Sequence, residues 1–90
     1  MIDMANSSKN WLSTKKTFID TKVHEIKFGF EPIRIKITAG AAALTYDFDK
    51  GGEFNESLTA GTTITLEYLS KTSIFIKLAS ANDYVIISAW

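Results

Sequence analysis

The chain contains no cysteine, so disulfide staples and thiolate zinc sites are excluded as sources of stability. It has a single histidine, His24, so any histidine-based catalytic set would rest on that one ring. It carries no net charge, with ten basic against ten acidic side chains. Such a balance gives no global field to gather nucleic acid or an anionic membrane. No apolar run approaches the ~20 residues that cross a bilayer. The N-terminus shows no basic run followed by an apolar stretch and a small-residue cleavage site. The expectation is a protein that does not use the standard export signal, with no membrane or nucleic-acid partner. Ninety residues make one domain on the length prior. A chain of this size buries only about 60% of the surface its unfolded form exposes. Its core is thin, and partner chains are one common remedy.

What is present, above all, is alternation. Ile26, Phe28 and Phe30 alternate with Glu25, Lys27 and Gly29, and Ile33, Ile35 and Ile37 with Arg34, Lys36 and Thr38. The same period recurs in Leu44-Thr45-Tyr46-Asp47-Phe48, in Thr62 to Leu69, in Ile74 to Leu78 and in Val85 to Ala89. Alternate side chains of a strand face opposite ways, so each run reads as a strand with one buried face. Glu53 to Leu58 reads as a further short strand. Asp49-Lys50-Gly51-Gly52, Ala60-Gly61, Ser70-Lys71-Thr72 and Ser80-Ala81-Asn82-Asp83 supply turn chemistry between them. Pro32 marks a bend, an edge or a strand start. The result is an all-β domain, a small antiparallel β-sandwich or jelly-roll-like fold of about seven strands.

Residues 1–20 break the pattern and read as an extended N-terminal arm, with the sandwich over 21–90. Met1 to Asn10 is too polar and small to offset its ordering entropy. Trp11, Leu12, Phe18 and Ile19 follow, at a spacing that suits a helix of about two turns, although Ser13, Thr14 and Thr17 are mediocre helix formers. These four are the candidate docking anchors of the arm. At the other end, Tyr84, Ile86 and Trp90 form an outward row on the last strand. Either that strand is covered on both faces, or the row is a subunit interface, where tyrosine and tryptophan are favoured.

The search for chemistry returns little. Glu25 points away from His24 by strand parity, so His24 lacks an orienting partner next to it. Asp47 to Glu53 superficially resembles a calcium loop, but Lys50 and Gly51 occupy its third acidic position and no glutamate stands at the twelfth. Gly51-Gly52 is not followed by the residues of a phosphate loop. Glu53 and Glu56 lie on opposite faces of a short strand, which is wrong for glycoside hydrolysis. The aromatics of the apolar rows do not interleave with Lys27, Arg34 and Lys36, which argues against an oligonucleotide-binding sheet. The expectation is no enzyme, no metal and no cofactor. Trp11, Tyr84 and Trp90 are the candidates for any carbohydrate platform.

Four segments resemble small virion accessory proteins of tailed bacteriophages: Lys27 to Thr38, Leu44 to Phe54 with its aromatic–Asp–Gly hairpin, Leu58 to Glu67, and Ser73 to Trp90 with its terminal Ala-Trp. The match spans Val23 to Trp90. The resemblance implies a head decoration or auxiliary capsid protein, with a neck or tail accessory position as an alternative. It implies major capsid or other virion proteins as partners, homo-oligomers (a trimer favoured), and a location in the virion after assembly in the host cytoplasm. A virion-exposed carbohydrate- or receptor-binding module is a further alternative.

Overall fold

The computed structural model describes residues 11–67 and 70–90. The arm residues before Trp11, and the end of the strand expected to reach Leu69, lie outside the described residues. Among the described residues the chain forms eight strands: β1 (Leu12–Phe18), β2 (Val23–Lys27), β3 (Arg34–Ala39), β4 (Leu44–Asp47), β5 (Glu56–Leu58), β6 (Thr63–Glu67), β7 (Ser73–Leu78) and β8 (Asp83–Ala89). They make two four-stranded antiparallel sheets, ordered β1-β8-β3-β6 and β2-β7-β4-β5. Consecutive strands fall in opposite sheets until β4 and β5 pair, which is the winding of an eight-stranded jelly roll.

The two inner faces supply the core. Ile35 and Ile37 of β3, and Val85 and Ile87 of β8, meet Ile74, Ile76 and Leu78 of β7, all nearly or wholly buried. Stiff β-branched side chains dominate this layer, and they fit a pleated surface well. The outer faces carry most of the intervening polar residues, together with Phe75 on one sheet and Tyr84 and Ile86 on the other.

The segment read as an arm behaves differently from expectation over its second half. Leu12–Phe18 is a strand, paired along its whole length with β8, from Leu12 opposite Ala89 to Phe18 opposite Asp83. The helical spacing of Trp11, Leu12, Phe18 and Ile19 is outweighed by seven residues of ladder on an otherwise open edge of β8. Thr14 and Thr17 favour that outcome, because β-branched residues lose less in a strand than in a helix. The remaining difference concerns the stretch expected as one strand from Glu53 to Leu58. Only Glu56–Leu58 pairs, since Phe54 takes a positive φ of 54° and cannot continue a ladder.

Candidate interaction face

The outer face of the β1-β8-β3-β6 sheet gathers most of the exposed aromatic surface. Register and alternation fix its rows. Ser13, Ser88, Lys36 and Thr65 stand side by side, and Lys15, Ile86, Thr38 and Thr63 form the next row. Tyr84 is opposite Thr17 beyond them. In the other direction the same parity brings Trp11 level with Trp90, one residue past the Leu12–Ala89 pair. The backbone of Trp90 is held on its β3 side, where it donates to Arg34 O at 3.0 Å and accepts from Ile33 N and Arg34 N at 2.8 and 2.9 Å. Trp11 and Ile33 are each 59% exposed and Trp90 38%. Three large exposed apolar residues thus stand just beyond the ends of three neighbouring strands, β1, β3 and β8.

The rest of the face is basic and hydroxylated. Lys15 Nζ lies 4.3 Å from the Tyr84 ring centroid, a cation–π contact that covers part of that ring. Arg34 pairs with Glu67. Ser13 and Ser88 share a hydroxyl contact at 3.3 Å, and Thr38 and Thr63 one at 2.9 Å. Among the described residues of this face, Lys15, Arg34 and Lys36 thus stand against Glu67, three positive charges to one negative.

The structure divides the expected arm anchors. Trp11 and Ile19 are exposed, the latter at 78% in the β1–β2 turn. Leu12 and Phe18 pack against the chain's own core. Tyr84, Ile86 and Trp90, expected as an interface row, share one face with Trp11. Tyr84 and Ile86 are half-buried by the flanking strands, because β8 is an inner strand of its sheet.

His24 has a partner after all, four residues back rather than next door. Its Nε2 lies 2.7 Å from Asp20 Oδ1, and its ring stacks on Phe18 at 4.0 Å between centroids and 2° between planes. Asp20 also accepts from Lys22 N at 3.0 Å. The hydrogen bond from His24, then that from Lys22, hold the Asp20 carboxyl below its ordinary value. This arrangement clasps the turn where the chain passes between sheets. Among the described residues no hydroxyl nucleophile bonds to His24.

The connection from Asp47 to Glu56 is built around one carboxylate. Asp47 Oδ1 accepts from Asp49 N at 2.9 Å, and Oδ2 accepts from Phe54 N at 3.3 Å. Those bonds, the one from Asp49 first, lower its pKa against the opposing effect of burial. Gly52 packs so closely on this carboxylate that a β-carbon there has no room. In the run that resembled a calcium loop, Asp47 is thus turned onto backbone N–H groups, while Asp49 pairs with Lys71 at 3.3 Å. Among the described residues no three acidic, histidine or cysteine side chains group as metal ligands.

Two hollows flank that connection. One, of about 400 Å³, is lined by Tyr46, Phe48 and Leu66 with Asp47, Asp49, Glu56 and Lys71. Burial, and then the charge of Glu56, push the Tyr46 hydroxyl pKa up, so it stays neutral. The other, of about 670 Å³, lies over the outer face of the second sheet, between Val23, Phe75 and Lys77 on the strands and Lys50 to Phe54 on the loop. Phe75 had looked out of phase between Ile74 and Ile76. It points to the outer face and is nonetheless buried. The positive φ of Phe54 carried no sequence signal beyond the glycines just before it.

No family model matches the chain, and no curated protein sequence does. Two solved structures share the fold. A de novo designed double-stranded β-helix, solved by NMR, superposes with a TM-score of 0.54 at 21% identity, covering 87% of this chain and 96% of that one. A crystal structure of an HTH_3 family transcriptional regulator from Vibrio cholerae superposes with a TM-score of 0.56 at 14% identity, covering 93% of this chain. This chain spans 45% of that regulator's length. At these identities the likeness defines a fold, the double-stranded β-helix or jelly roll, and nothing about activity.

Proposed function

We propose that the chain is a non-catalytic structural subunit that joins a larger assembly through the outer face of the β1-β8-β3-β6 sheet. One observation carries this reading: Trp11, Tyr84, Ile86 and Trp90 lie on a single sheet face, with Trp11 and Trp90 still open to water. Aromatic anchors of this kind dominate binding energy where a partner desolvates them, and a free subunit has little reason to display them together. The segments that resemble virion accessory proteins support a tailed-phage particle as that assembly, with the chain decorating or cementing the capsid. A subunit that binds the assembled shell, and not its dissociated parts, stabilises the shell by mass action.

Co-sedimentation with capsids stripped of accessory proteins tests this reading. The wild-type chain pellets with the shells, and the double substitution Trp11→Ala, Trp90→Ala stays in the supernatant while remaining folded. A folded double variant that pellets as well as wild type would remove this face from the function.

A further inference from the structure

We propose that the hollow beside Tyr46, Phe48 and Leu66 binds a small organic cation, an ammonium group carried on a hydrocarbon ring. It uses none of the residues assigned above to the docking face. Tyr46 of β4 and Glu56 of β5 are directly opposed in their ladder, so both side chains leave the same face of that sheet. Leu66 comes from β6, the edge strand of the other sheet. The hollow therefore lies on the seam between the two sheets. Tyr46 is 3% exposed. Its hydroxyl bonds to no described residue, yet it is not sealed from water, so the one polar atom of a buried side chain ends in the hollow. Buried polar groups find partners, and this one is placed to take its partner from a molecule that enters.

The charge of the lining selects the class of ligand. Asp49 is offset by Lys71 at 3.3 Å. Asp47 accepts from Asp49 N and Phe54 N, which occupies its oxygens and leaves its charge in place. Glu56 is exposed and pairs with no cation among the described residues. Two negative charges, those of Asp47 and Glu56, thus stand uncompensated at the hollow. An anion is repelled there, and a cation is attracted. The Tyr46 phenol, kept protonated by burial and then by the charge of Glu56, offers a neutral hydroxyl beside that carboxylate.

The walls select the body of the ligand. Phe48 and Leu66 pack on the core and are only half-buried, so each leaves apolar surface toward the hollow. Tyr46 and Phe48 meet edge to face at 6.1 Å between centroids, and an entering ring extends that packing. The volume of about 400 Å³ is in the lower part of the range for small-molecule sites. A ring against Phe48 and Leu66 leaves its ammonium group at the mouth, where its N–H groups donate to the Glu56 carboxylate and the Tyr46 hydroxyl oxygen.

Amide shifts in nuclear magnetic resonance spectra, followed through titrations at neutral pH, test the site with three probes of one shape: benzylammonium, benzyl alcohol and benzoate. Benzylammonium is expected to give saturable shifts at Phe48, Glu56 and Leu66 with a Kd of roughly a millimolar, reasonable for a probe of about eight heavy atoms. Benzyl alcohol is expected to bind about tenfold more weakly, and benzoate not to saturate. Glu56→Gln removes the charge at an exposed position, and is expected to weaken benzylammonium about tenfold while leaving benzyl alcohol unchanged. Tyr46→Phe is expected to weaken benzylammonium about fivefold and to melt no lower than wild type, because the hydroxyl it removes serves no bond of the fold. Benzyl alcohol or benzoate binding as tightly as benzylammonium would overturn the cation. Shifts that fail to saturate, or that fall away from the hollow, would overturn the site. A Tyr46→Phe variant with a lowered Tm and unchanged binding would return that hydroxyl to the fold and end the inference.

Discussion

Gly40 and Asp83 occupy one another's space: a β-carbon on Gly40 would stand 2.5 Å from Asp83 Oδ1. The carboxylate accepts from Ala41 N at 3.0 Å, Ala42 N at 2.8 Å and Tyr84 N at 2.8 Å. Among the described residues Asp83 is the buried charged one, 5% exposed, and it ties the β3–β4 corner to the start of β8. The tie needs a glycine on one side and a carboxylate on the other.

Removing either half is expected to destabilise the domain. Asp83→Ala strands three backbone donors and costs about 3 kcal/mol. Gly40→Ala forces the carboxylate away and costs about 2 kcal/mol or more. In a domain of this size each 1 kcal/mol lowers Tm by roughly 4–8 °C, so both losses register in a thermal melt. A Gly40→Ala variant that melts with wild type would show that the corner has slack.

The same carboxylate contributes to acid sensitivity. Burial pushes its pKa up, and the three N–H donors outweigh that and leave it below its ordinary 3.8. A group whose pKa is depressed by folding contributes stability that is present above the unfolded value and is lost as pH falls through the folded one. Asp20 and Asp47 are shifted the same way. Unfolding free energy is therefore expected to fall steeply below about pH 4, and Asp83→Asn flattens that limb. An acid limb identical in wild type and Asp83→Asn would assign the pH dependence elsewhere.

Gly52→Ala is expected to release the Asp47 carboxylate from Asp49 and Phe54, and with it the loop that shapes both hollows. The fold persists, because the affected segment lies outside the strands. Hydrogen exchange at the amides of Asp49 and Phe54 reads the effect directly: faster exchange there, with β3 and β8 unchanged. Unaltered protection at both amides would mean that the carboxylate does not hold the loop.

His24→Ala removes the ring stacked on Phe18 and the donor to Asp20. The expected outcome is a lower Tm, from the loss of an aromatic contact and one side-chain hydrogen bond, with amides of β1 exchanging faster. A variant of wild-type stability would show that this contact does not hold the turn.

The strands that read plainly from the sequence are those with one face in the core. Ile35 and Ile37, Ile74 and Ile76, and Val85 and Ile87 alternate because the opposite sheet covers one side of each. β1 was not legible, because an edge strand buries little. Leu12, Thr14 and Phe18 point toward the core among Ser13, Lys15, Lys16 and Thr17, and no sequence period distinguishes that from an arm. Its place beside β8 is a pairing across more than sixty residues of chain, set by the winding of the whole domain. For the same reason the face was half visible. Tyr84, Ile86 and Trp90 stood out as a row, but only register brings Trp11, Lys15 and Lys36 onto it. Basic and aromatic residues that looked segregated in sequence therefore share a surface.

The chain has two tryptophans, and both lie at this one corner, so intrinsic fluorescence reports on the docking face alone. Emission of the wild-type chain, followed as it is titrated with stripped capsids, is expected to shift to shorter wavelength as Trp11 and Trp90 leave water. Emission that stays at the solvent-exposed maximum while the chain is demonstrably bound would contradict the claim that this corner makes the contact.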